Sequence, residues 1–213
     1  MRTKAILLIA SAFLTGCTYP VKLSTPGAIN FVSGYETKVP GRFIVVYDDT
    51  LKNVTTEVRN DAIACRAHTF PLVVGDSLVI GLRKVFNATL EDTREARTVP
   101  TPREMEIDQV RAAILVRLED LYTRFSCLPD RDHVFNVCEY ITNMTLSVAV
   151  KNIEGTGIFA TEVSARPIIK EDRVVLGCHY QQEGCERSLN RAAKLALEEL
   201  AERMANAPEL RPK

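Results

Sequence analysis

Met144-Thr145-Leu146-Ser147-Val148-Ala149-Val150 and Phe159-Ala160-Thr161-Glu162-Val163-Ser164-Ala165 each alternate apolar with polar or small residues at a period of two. Between them stands Asn152-Ile153-Glu154-Gly155-Thr156-Gly157, a run of turn formers. Two alternating runs joined by such a turn predict an antiparallel hairpin over 144–165 with one face toward a core. A single sheet needs a cover for its apolar face. Leu189, Ala193, Ala196, Leu200 and Met204 supply one, lying on one face of a helix that Ser188 can cap and Pro208 ends.

Working outward, Arg42-Phe43-Ile44-Val45-Val46-Tyr47 reads as a strand closed by Asp48-Asp49. Residues 54–69 read as weaker extended structure. Asp76-Ser77 can cap a second helix carrying Leu78, Leu82, Val85 and Phe86, with Gly81 weakening the pattern. Residues 91–106, charged and containing Pro100 and Pro102, read as a loop; the wider run over 94–111 is a solvated segment or a protruding contact site for a partner. Residues 110–125 fit two templates: Val110, Ile114, Leu118, Leu121 and Phe125 at helical spacing, or Ile114, Val116 and Leu118 alternating as a strand. The expected fold is a single α+β domain: a small antiparallel sheet of about four strands covered by two helices.

The chain has 213 residues, a formal charge of zero, 46% apolar and 7% aromatic residues, and no Trp. This length suits one domain, and the apolar content excludes a disordered chain. A neutral chain lacks the positive field that would hold nucleic acid, so none is expected as a partner.

The N-terminus carries Arg2 and Lys4, then the apolar run Ala5-Ile6-Leu7-Leu8-Ile9-Ala10-Ser11-Ala12-Phe13-Leu14, then Thr15-Gly16-Cys17. Charge, a short apolar segment and small residues in that order form a secretory signal. Leu14-Thr15-Gly16-Cys17 resembles the lipobox of bacterial lipoproteins; the alternative is an ordinary cleaved signal in which Cys17 is incidental. The resemblance implies that Cys17 takes a diacylglycerol on its thiol, that the chain is cut before it, and that the new amine is usually acylated. Thr18 stands where an Asp would favour inner-membrane retention, so the resemblance points to a lipid anchor in the outer membrane, facing the periplasm. The expected organisation is a signal peptide over 1–16, a lipidated N-terminus and extended tether over 17–41 (rich in Pro and Gly), a periplasmic domain over 42–206 and a tail over 207–213.

Five further cysteines fit an oxidising compartment: Cys65, Cys127, Cys138, Cys178 and Cys185. Cys127 with Cys138, and Cys178 with Cys185, could each close a short loop. The count is odd, connectivity is not fixed by sequence, and Cys65 in its Ala-Ile-Ala-Cys context is the expected free thiol. The metal-binding alternative, Cys178, His179 and Cys185, lacks a fourth ligand and a zinc-site spacing. No metal or cofactor is expected.

The lipobox cysteine, the paired strands around 107–165 and the closing helix together resemble the YajG-type lipoproteins, and more loosely the periplasmic assembly and transport-auxiliary lipoproteins. Ala113-Ile114-Leu115-Val116-Arg117-Leu118-Glu119-Asp120-Leu121-Tyr122 resembles the strand that precedes their hairpin, which favours the strand reading of 110–125. The five mature cysteines and the segment 91–106 depart from that pattern. The resemblance implies no catalytic residue and a membrane-tethered role with a protein partner in envelope assembly or transport. A periplasmic small-ligand or lipid-binding module is the alternative. Enzymatic chemistry is not expected: there is no G-x-S-x-G elbow or phosphate-cradling glycine loop, and Cys65 with His68 sits in an extended context.

Overall fold

The computed structural model describes residues 17–62, 65–129, 136–173 and 178–211. The expected signal peptide, residues 1–16, lies outside them. The chain runs β1 (Val21–Lys22), β2 (Val39–Tyr47), α1 (Asp49–Lys52), β3 (Arg59–Asn60), β4 (Leu72–Val73), α2 (Gly75–Thr89), β5 (Leu90–Ala96), α3 (Pro102–Ile107), β6 (Val110–Pro129), β7 (Asn136–Asn152), β8 (Gly157–Ala165), β9 (Ile168–Arg173) and α4 (Cys178–Ala205), closing with a 3-10 turn at Pro208–Leu210.

The centre is the antiparallel pair β6 and β7, in register from Ala112 opposite Asn152 to Pro129 opposite Asn136. The hairpin expected over 144–165 is present as β7–β8, with Met144 opposite Ala165. The sheet is larger than the expected four strands, and mixed. Among the described residues it has seven, in the order β5-β2-β6-β7-β8, with β3 extending the β6 edge and β9 extending the β7 edge. β2 pairs parallel with both β5 and β6, because α2 and α3 carry the chain back between them. Pro167 stands between β8 and β9, where a missing amide N–H interrupts no ladder.

Residues 110–125 are strand, and their two readings have one cause. The register slips between Leu118 and Asp120, a bulge at Glu119. Ala112, Ile114, Val116 and Leu118 face the core before it; Leu121 and Phe125 do so after it. One inserted residue thus puts core positions three apart, which imitates a helix.

Two helices cover one face. Leu189, Ala193, Ala196, Leu200 and Met204 of α4 are all fully buried. Helix α4 begins at Cys178, ten residues before the expected cap, and Ser188 is an interior residue whose hydroxyl donates to the Tyr140 carbonyl at 3.5 Å. Glycines permit two close approaches: a Cβ on Gly184 would fall 2.2 Å from Tyr140 Cζ, and one on Gly81 of α2 2.6 Å from Leu197 of α4. On the opposite face α3 is the cover. Its Thr101–Glu104 capping box is complete, and Met105 packs on Ile44, Val46, Val110 and Ala113. Residues 91–106 are therefore an edge strand and a capped helix joined by a short link, not one long loop. Glu91, Arg94 and Glu95 of β5 and Arg103, Glu104 and Glu106 of α3 are exposed, while Asp92 is half-buried and paired with Arg42.

The segment expected to be a free tether is docked. Strand β1 pairs parallel with β4, and Val21 and Leu23 are buried. Polar side chains four or eight residues apart, three on α4 and one just past its end, then strap the chain along the helix. Glu186 accepts from the Lys22 amide at 3.1 Å, Asn190 from Ser24 at 2.8 Å, Glu198 from Asn30 at 3.2 Å, and Asn206 from Gly34 at 2.6 Å. The expected tail is docked too: Leu210 is buried, and the Arg211 guanidinium lies 3.6 Å above the Tyr35 ring. The folded unit thus extends beyond the expected 42–206 at both ends.

Candidate functional site

Cys17 is exposed, and its backbone is fixed to the fold from the first atom. Its N–H donates to His68 Nδ1 at 3.0 Å, and its carbonyl accepts from the Thr69 amide at 3.4 Å. Tyr19 N–H donates to the Thr69 carbonyl at 2.9 Å. The Tyr19 ring stacks on Phe70 and meets His68 edge-on, with centroids 5.6 and 5.4 Å apart. Acylation of a Cys17 amine would convert it to an amide that keeps one N–H, so the bond to His68 is compatible with a lipidated residue.

The loop holding His68 is pinned from two sides. The Asp61 amide donates to the Phe125 carbonyl of β6 at 3.1 Å, and Asn60 Nδ2 donates to the Cys65 carbonyl at 2.6 Å. On the other side Cys65 is disulfide-bonded to Cys178, at the first residue of α4, with Cα atoms 5.8 Å apart. This corrects two expectations. Cys65 is not the free thiol, and Cys178 is not bonded to Cys185. Positions 178 and 185 lie two helical turns apart along α4, about 10 Å, beyond the reach of a disulfide. Cys185 is the free thiol of the five. It is buried, and burial pushes its pKa up, which keeps it protonated and unreactive.

Cys127 and Cys138 are bonded across directly opposed positions of β6 and β7, with Cα atoms 4.1 Å apart. Gln181 of α4 sits over this bridge, 3.7 Å from Cys138 Sγ, and accepts from the Tyr140 hydroxyl at 2.6 Å. The metal-binding alternative loses Cys178 to the disulfide. His179 instead faces Glu183 at 3.4 Å. Cys65, held as a disulfide, offers no nucleophile to His68.

Away from this end, an open groove of about 1100 Å³ runs between Asn30-Phe31-Val32, the β8–β9 junction and the outer face of α4. Arg166, Lys170 and Arg191 line it together with Glu198, Glu199 and Glu202. The apolar side chains Val32, Ile168 and Leu195 are exposed along it. It was not expected from the sequence, because its walls come from three distant segments. The local signal was the polar side of α4, which reads equally well as a solvated helix face.

No protein-family model matches the chain, and no curated protein matches it in sequence. Several solved structures are similar in shape. A protein from Xanthomonas campestris described as DUF330 is 8% identical, with a TM-score of 0.42, covering 86% of this chain and 91% of its own. A neuraminyllactose-binding hemagglutinin homologue from Helicobacter pylori is 11% identical, with a TM-score of 0.46, covering 85% and 90%. A minor lipoprotein from Acinetobacter baumannii is 12% identical, with a TM-score of 0.37, covering 76% and 84%. Bacterial lipoproteins are thus among the structures this chain is similar to, at similarities that do not transfer a role.

Proposed function

We propose that the chain is a bacterial lipoprotein, anchored in the outer membrane through acyl chains on Cys17, that faces the periplasm and acts as a non-enzymatic partner-binding component of envelope assembly or transport. One observation carries this reading: the run Leu14-Thr15-Gly16-Cys17 behind a short apolar segment, with Cys17 exposed at the surface of the described fold. Several acyl chains on one residue anchor stably, at about 0.8 kcal/mol per buried methylene. The groove beside α4 supports a protein partner over a small apolar ligand, because it is open and lined by both signs of charge.

The test is metabolic labelling with a palmitate analogue followed by membrane fractionation. The wild-type protein should be labelled and partition with the outer membrane; Cys17→Ser should be unlabelled and retain residues 1–16. An unlabelled wild type would end the lipoprotein reading. For the partner, a photo-crosslinking residue at Leu195 should give a discrete protein adduct in cells that Arg191→Glu weakens. Lipid co-purifying with the domain instead would favour the small-ligand alternative.

A further inference from the structure

We propose that the Cys17 end of the domain lies directly against the bilayer, its loop at Arg66 to Thr69 and the first turn of α4 contacting the lipid surface, so that the anchor fixes which end of the molecule points away from the membrane. The proposal rests on lipidation of Cys17. A free tether over 17–41 would let the domain stand up to about 80–90 Å from its anchor. The observed slack is nil: Cys17 itself is hydrogen-bonded to His68 and Thr69, and the chain after it is paired with β4 and strapped to α4. A bilayer that holds the acyl chains of Cys17 therefore lies within one side chain's reach of this surface.

The groups gathered there suit a lipid interface. The Cys65–Cys178 bond joins the loop carrying exposed Arg66, Ala67 and Thr69 to the helix turn carrying His179 and Tyr180. Tyr180 is 45% exposed, and Leu128, near the end of β6 and next to the Cys127–Cys138 bridge, is 70% exposed. An exposed tyrosine and leucine at the anchored end of the domain, with exposed Arg66 on the disulfide-linked loop, match the amphipathic composition of a membrane interface. Strand β7 has 17 residues and starts at this end, so its far end at Asn152 stands about 55 Å away. The β7–β8 turn and α3 are carried away from the membrane.

The chain has no Trp, so one introduced Trp is a unique reporter. Lipidated protein purified from membranes would be reconstituted into phosphatidylethanolamine and phosphatidylglycerol vesicles with brominated acyl chains, which quench Trp on contact. Tyr180→Trp should be quenched severalfold more than Glu154→Trp in the far turn, and Ala67→Trp serves as a second reporter should the first variant not fold. A Gly-Ser insertion of about 20 residues between Cys17 and Thr18, spanning about 25 Å on average, should abolish most of that quenching without changing flotation with the vesicles. Floating protein with equal, weak quenching at both positions would overturn the apposition while leaving the lipid anchor intact. Quenching undiminished by the insertion would overturn the claim that the docked anchor sets the orientation. Protein that carries no lipid and does not float would overturn the lipoprotein reading, and the apposition with it.

Discussion

The two ends of the β6–β7 pair are held by different means. At the Cys17 end, two disulfides, a backbone dock and Gln181 tie the N-terminal segment, the 61–69 loop, both strands and the start of α4 together. At the far end no disulfide stands among the described residues: Asn152 accepts from the Glu154 and Thr156 amides within the hairpin turn, Arg42 and Arg111 donate to the Asp108 and Pro40 carbonyls, and α3 rests on its own capping box and on Met105. The end we place at the membrane carries two covalent cross-links, one of them over 113 residues. The other relies on hydrogen bonds, a cap and a small apolar cluster with no covalent cross-link, so it should open first under denaturant.

The largest effect should come from the longest cross-link. Cys65–Cys178 closes a separation of 113 residues, so Cys65→Ser with Cys178→Ser should destabilise by about 4–5 kcal/mol in the chain-entropy account, read by urea unfolding of soluble domain. Cys127→Ser with Cys138→Ser, spanning 11 residues, should cost about 3 kcal/mol. Equal losses from the two pairs would break the entropic account of the difference. Gly184→Ala should cost about 1–3 kcal/mol, because its Cβ has no room beside Tyr140; the same change at Gly155, with open space around it but a φ of +78°, tests backbone strain instead. At the far end, Thr101→Ala removes only a cap and should cost about 1 kcal/mol. A Thr101→Ala loss matching that of either disulfide pair would overturn the contrast between the ends.

The smallest effect is a null. With its pKa raised by burial, Cys185 should resist thiol-reactive dyes in the folded domain and become labelled only on unfolding. Rapid labelling of native protein at Cys185 would show that the disulfide-linked end breathes.

What the sequence disclosed follows the range of the interactions involved. The 144–165 hairpin was legible because its alternation and its turn are local. The core face of α4 was legible for the same reason, whereas its first ten residues were not: Ser188 reads as a cap, and the close approach of Tyr140 that Gly184 permits comes from a distant strand. The bulge at Glu119 made a strand carry a helical spacing. Cysteine pairing misled where nearness in sequence stood in for nearness in space, since Cys65 and Cys178 are 113 residues apart and meet only through the tertiary fold. The lipobox resemblance at Cys17 is legible because its residues are contiguous. The dock of Cys17 on His68 and Thr69 is not, because one imidazole acceptor and one backbone amide some 51 residues away leave no local pattern.

The central claim is that Cys17 is the lipidated first residue of the mature chain. Mass spectrometry of the N-terminal proteolytic fragment from membrane-extracted protein tests it most directly. The account predicts a fragment beginning at Cys17 and carrying diacylglyceryl and acyl mass. A fragment beginning at any other residue, or one beginning at Cys17 with an unmodified thiol, would contradict it.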